Sequence, residues 1–162
     1  MAYDFSANEI FDMAIRIEAN GARFYRRAGE LQSDAKNKEM LNKLATMEDH
    51  HKLTFEKMKT SLSAAEKSST VFDPNGESVQ YLSAMVDSHG GEGSPDAADA
   101  LTGKETIQEI IKTAIGLEKE SILFYLGLKD FVPPELGQDK LDRIINEERK
   151  HVIQLNAFLK KQ

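Results

Sequence analysis

The chain has 162 residues, 40% of them apolar and 30% charged, and its 27 acidic against 21 basic side chains leave a net charge of −6. That is enough for one hydrophobic core, and the acidic balance argues against nucleic acid as a partner. Cysteine is absent, which excludes a disulfide scaffold, a thiol nucleophile and any thiolate-held metal centre.

No run of about 18 apolar residues reads as a membrane span. Met1–Glu9 lacks the basic-then-apolar pattern of a secretory signal, so the cytoplasm is the expected compartment. Helical periodicity runs almost throughout. Ser6 followed by Glu9 reads as a capping box. Ile10, Met13, Ala14, Ile17, Gly21, Phe24 and Tyr25 then recur at helical steps, predicting a helix over about 7–30. Ser33 is expected to cap a second helix over about 34–62, with the stripe Met40, Leu41, Leu44, Met47, His51, Phe55, Met58 and Leu62.

Residues 63–103 break the pattern with serines, the turn Asp73-Pro74-Asn75-Gly76 and the polar Ser88–Pro95 stretch. A short helix is predicted at 78–87. A connection this long inside a compact unit asks for a reason. Thr102 and Glu105 form another capping-box pattern before a helix over about 104–131, carried by Ile107, Ile111, Ala114, Ile115, Ile122, Leu126 and Leu128 and ended by Pro133-Pro134. The last predicted helix, about 138–160, carries Leu141, Ile144, Ile145, Val152, Leu155 and Leu159. No alternating segment is long enough for a strand, so the expected fold is all-α with four long helices.

The two helix pairs match at an offset of 100 residues. Ala14–Glu18 aligns with Ala114–Glu118, Phe24-Tyr25 with Phe124-Tyr125, Glu48 with Glu148, and His51 with His151. Each half is therefore a helical hairpin with the same three polar residues. At about 1.5 Å per residue, antiparallel pairing brings Glu18 level with Glu48, and Glu118 level with Glu148. A three-residue spacing puts Glu48 with His51, and Glu148 with His151, on one helix face.

That face is otherwise apolar, with Leu44, Met47 and Phe55 in one half and Ile144, Val152 and Leu155 in the other. Four carboxylates directed into one core cannot stay ionised alone. Two divalent cations balance them, with neutral imidazoles as further ligands. Oxygen and nitrogen donors without sulfur suit iron or manganese better than a soft metal.

Other polar residues carry blander expectations. His50 sits at the rim, His89 in a Gly-rich loop without a role, and Glu120 on the surface. Glu147 competes with Glu148 for the ligand position, and the repeat register decides for Glu148. Tyr25 and Tyr125 lie one heptad past Glu18 and Glu118, either packing in the core with a hydrogen-bonded hydroxyl, or touching a bridging carboxylate or serving as a radical sink.

A Glu on each of two helices and Glu-x-x-His on the other two resembles the di-iron carboxylate signature of ferritin-like four-helix bundles. Within that superfamily the chain resembles the rubrerythrin-like branch. The resemblance rests on Ile17-Glu18…Phe24-Tyr25, Glu48-Asp49-His50-His51, Leu117-Glu118-Lys119-Glu120…Phe124-Tyr125 and Glu148-Arg149-Lys150-His151. It implies one ferritin-like domain over 1–162, built as a hairpin at 7–62, a crossover at 63–103 that travels the bundle length, and a hairpin at 104–160.

It also implies roles. Glu48 and Glu148 bridge two irons, with Mn or Zn as alternatives in either site. Glu18 and His51 complete one site, Glu118 and His151 the other. Rubrerythrins proper carry a further Glu three residues after the third-helix ligand; here that position is Ser121, matched by Gly21 in the first half. They also commonly carry a four-cysteine rubredoxin domain, for which this chain has no cysteine. The implied activity is reduction of H2O2 or O2 with electrons from a separate donor protein or from substrate Fe(II). The alternatives are a ferroxidase or iron-handling protein, and a non-catalytic helical module stabilised by metal. A homodimer is expected because residues 63–103 are long enough to swap between protomers.

Overall fold

A computed structural model describes residues 7–62, 77–87, 96–130, 132 and 134–161. Ser6, the 73–76 turn, the Ser88–Pro95 stretch with His89, and Pro133 lie outside the described residues. The long helices are α1 (Ala7–Glu30), α2 (Ala35–Thr60), α5 (Ile107–Lys129) and α6 (Gln138–Leu159). The connection holds α3 (Glu77–Asp87), as expected, and a single helical turn, α4 (Asp96–Asp99), which periodicity does not signal. Among the described residues there is no strand, and no helix is long and apolar enough to cross a membrane.

Two helix starts differ from expectation, for the same reason. The α2 cap is Asp34 rather than Ser33: its backbone is extended and its carboxylate accepts from the Asn37 N–H at 2.9 Å. The α5 cap is Thr106, whose hydroxyl accepts from the Glu109 N–H at 3.2 Å while Glu109 accepts from the Thr106 N–H at 2.7 Å. Thr102 and Glu105 do pair, but in the turn before the helix. There the Glu105 carboxylate accepts from the backbone N–H groups of Thr102 and Gly103, both at 2.9 Å, which hold it down to about 2. Two Thr-x-x-Glu patterns follow one another, and adjacent capping residues compete in sequence. Helix α5 also ends at Lys129 rather than 131, before the short 3₁₀ turn Pro134–Leu136.

The core forms two apolar clusters. One holds Ile10, Phe11, Ile17, Phe55, Tyr125, Leu128, Leu141 and Ile144; the other holds Ile110, Ile111, Leu117, Leu155, Tyr25, Ala28, Leu41 and Leu44. Shifted by 100 residues, each set becomes the other. The bundle is thus two interlocked copies of one hairpin, each completing the other's core.

The described parts of the connection touch both clusters: Leu82 of α3 packs in the first and Ala98 of α4 in the second. Tyr81 and Leu82 lie so close to Gly127 of α5 that an added Cβ there would meet them at 3.0 and 3.1 Å. Lys59 pairs with Asp12 between α2 and α1 at 2.5 Å, and Lys129 with Asp142 between α5 and α6 at 2.6 Å. Such partly exposed pairs contribute little to stability, about 0–1 kcal/mol each.

Candidate metal centre

Between the two apolar clusters lies a polar layer. Glu18 comes from α1, Glu48 and His51 from α2, Glu118 from α5, and Glu148 and His151 from α6. All four carboxylates are fully buried, and the two imidazoles are 3% and 1% exposed. The expected residues converge into two overlapping groups: Glu18, Glu48, His51 and Glu148, and Glu48, Glu118, Glu148 and His151. Within each group the candidate ligand atoms lie within 4.8 Å of one another.

Glu48 and Glu148 belong to both groups, and their oxygens divide between them. His51 Nδ1 lies 2.8 Å from Glu148 Oε1 and 3.8 Å from Glu48 Oε2. His151 Nδ1 lies 2.9 Å from Glu148 Oε2 and 3.3 Å from Glu48 Oε1. Glu18 faces His51 alone at 3.4 Å, and Glu118 faces His151 at 3.4 Å. The geometry therefore has two shared carboxylates, two terminal ones, and one imidazole on each side.

These atoms are buried without hydrogen-bond partners among the described residues: Glu18 Oε2, Glu118 Oε2, both oxygens of Glu48 and of Glu148, and Nδ1 of both histidines. Leaving so many polar atoms unsatisfied is costly, at about 1–3 kcal/mol for each neutral group and more for a charge. Divalent cations satisfy all of them at once. The donor set of carboxylate oxygen and imidazole nitrogen fits hard to borderline metals.

The electrostatics say the same in the metal-free chain. Burial pushes Glu18 and Glu118 well above the usual carboxylate range, and the neighbouring Glu48 and Glu148 push them further. Burial opposes charge on the imidazoles too, but the surrounding carboxylates outweigh it. His51 is pushed up by Glu148, Glu18 and Glu48. His151 is pushed up to about 12 by Glu118, Glu148 and Glu48. Burial acts upward on Glu148 as well, yet the close His151 and His51 hold it below the usual range. Protons on the imidazoles and terminal carboxyls supply the compensation that metal ions would otherwise provide.

Tyr25 and Tyr125 pack in the core with hydrogen-bonded hydroxyls, as expected, but the carboxylates they touch differ from expectation. Their hydroxyls touch the terminal glutamates, not the bridging ones. Tyr25 donates to Glu118 Oε1 and Tyr125 to Glu18 Oε1. The contact crosses between hairpins because each Tyr packs in the cluster beside the other hairpin's Glu. One oxygen of each terminal carboxylate is thereby held and the other left free.

For Glu147 the repeat register decides correctly: Glu148, not Glu147, belongs to both ligand groups. The partly exposed carboxylate of Glu147 instead meets His51 Nε2 at 2.7 Å, behind the ring. The available signal was a broken repeat, since the matching position in the first hairpin is Met47. Ser121 is buried on α5, His50 is exposed, and Glu120 is partly exposed and outside both groups.

No family model and no curated protein sequence matches the chain. A Thermotoga maritima crystal structure, of a protein described as a ferritin-like diiron-carboxylate protein, superposes with a TM-score of 0.75 at 26% identity, covering 99% of this chain and 98% of that one.

Proposed function

The chain has the fold of the ferritin-like diiron-carboxylate superfamily, and from that premise we propose that it is an oxidoreductase of the rubrerythrin-like branch, reducing H2O2 or O2 at a pair of irons. The observation that carries this reading is the pair of buried ligand groups sharing Glu48 and Glu148, whose inward atoms have no hydrogen-bond partner among the described residues. In this reading Glu18 and His51 hold one iron and Glu118 and His151 the other. When bound, the irons supply Lewis acidity and two electrons in one encounter.

The residues of the chain do the rest. Tyr25 and Tyr125 fix one oxygen of each terminal carboxylate and so orient the other. The two apolar clusters exclude water from both sides of the layer. Ser121 stands where rubrerythrins proper have another Glu, which leaves six protein ligands. Reducing H2O2 to two waters takes two electrons and two protons. A separate donor protein returns the electrons, because a chain without cysteine holds no rubredoxin-type centre. The proposed assembly is a homodimer.

The test is anaerobic. The chain is loaded with Fe(II), exposed to H2O2, and assayed for residual Fe(II) with a chelating dye. Loss of two Fe(II) for each H2O2 supports the reading; an unchanged ferrous count defeats it. Light scattering that shows a multi-chain cage, with far more iron retained than two per chain, supports iron storage instead.

A further inference from the structure

We propose that the chain binds a small organic oxyanion, a phosphate or carboxylate on an apolar body, in the cavity between α2 and α6 beside His51. This cavity has a volume of about 580 Å³, within the range of small-molecule sites. Its lining includes Lys57, Lys140 and Arg143, the carboxylate of Glu147, and the apolar side chains of Met47 and Ile144. His51, otherwise buried, also lines it.

The charge is unusual for this molecule. The chain carries a net −6, yet three permanent cations face this one cavity. Arg143 is engaged by Asp139 at 3.0 Å, and Glu147 is engaged by His51. Neither Lys57 nor Lys140 has a carboxylate partner among the described residues. After both carboxylates are subtracted, the wall is still positive. Uncommitted ammonium groups beside an apolar floor recognise an anionic head on a nonpolar body.

The repeat supplies an internal control. Shifting by 100 residues carries Lys57 to Ala157, Lys140 to Met40 and Glu147 to Met47. The metal-facing residues are kept in both hairpins, while the two free cations occur on one side only. The metal cluster therefore does not require them. The cavity also abuts just one of the two imidazoles, and the Glu147 carboxylate stands between its cations and that ring.

The test uses the full chain loaded with zinc, which is redox-inert, so failure of the peroxide chemistry leaves this test intact. Phenyl phosphate and benzoate are titrated calorimetrically, with phenol as the neutral control. Saturable binding of either anion, and about tenfold or greater weakening in the K57Q/K140Q double variant with zinc content unchanged, is the expected result. Tighter phenyl phosphate identifies a phosphate ester as the natural source, and tighter benzoate a carboxylate. The site is overturned if neither anion saturates, if phenol binds equally well, or if the double variant binds as the parent does. The last outcome places the anion on the metals.

Discussion

The α1/α2 hairpin and the α5/α6 hairpin supply the same Glu, Glu and His at one register, but not the same surroundings. Their apolar residues exchange under the 100-residue shift, and their tyrosines reach across to each other's glutamates. At the rim the likeness fails. His51 has Glu147 behind its ring, whereas His151 Nε2 has no hydrogen-bond partner among the described residues. The lesson is that the layer facing the metals obeys the two-fold repeat, and the layer facing solvent does not. The two metal positions should be alike in ligands and unlike in support and access.

The largest effect should come from the shared residues. Glu48→Ala or Glu148→Ala removes a ligand from both groups, so metal content should fall from two ions per chain to nearly none, read by elemental analysis. Glu18→Ala should remove one ion and keep the other, because Glu18 belongs to one group only. If Glu48→Ala instead costs a single ion, the carboxylate is not shared and the pairing is wrong.

Metal removal should be felt by the whole fold. Two ions at about 100 times their dissociation constants contribute roughly 2.7 kcal/mol per site. For a chain of this size that corresponds to a melting-temperature loss of about 5–10 °C per site, measured by calorimetry with and without chelator. The sign with pH follows from the raised groups. Glu18, Glu118, His51 and His151 all hold protons more tightly than usual in the metal-free chain. Metal binding must displace those protons, so affinity should rise with pH and protons should appear in an indicator-dye assay. Affinity that falls as pH rises would contradict this account.

The tyrosines test the crossed contact. Tyr25→Phe should weaken the site of Glu118, and Tyr125→Phe that of Glu18, each by about 1.5 kcal/mol, the lower value for a hydrogen bond to a charged group. Site-resolved metal titration reads the swap directly. Weakening on the same hairpin as the substituted Tyr would mean that the hairpins do not complete each other.

Much of this was legible in the sequence, and the particular residues show why. Glu18, Glu48, His51, Glu118, Glu148 and His151 stand out because acids on apolar stripes violate binary patterning, and because the violation recurs at one spacing. The long helices were legible from the same stripes. Caps were less so: Ser33 beside Asp34, and Thr102 four residues before Thr106, are local near-equivalents, and the observed caps are Asp34 and Thr106. The crossed tyrosines were not legible, because heptad spacing places Tyr25 relative to its own helix and says nothing of the opposite one. The role of Glu147 was half legible. The broken repeat marks the position, but only the fold shows that its partner is His51 on α2.

Glu147 therefore offers the sharpest test of inequality between the hairpins. A carboxylate behind a ligating imidazole fixes which ring nitrogen carries the proton and raises its basicity, and such outer contacts are worth about 10–100-fold in metal affinity. Glu147 is 45% exposed, so solvent screening places it near tenfold. Glu147→Ala should weaken the His51 site by about that factor and leave the His151 site unchanged, bringing the two positions closer together in a stepwise titration. Glu147→Gln should fall between, since its amide oxygen still accepts the ring N–H but without the charge. Met47→Glu is the reciprocal change, placing a carboxylate at the matching position of the other hairpin. If it strengthens the His151 site, the inequality resides in this one pair of positions. If the two sites titrate alike in the parent chain, the ring contact of Glu147 has no bearing on the metals, and the asymmetry is confined to the rim.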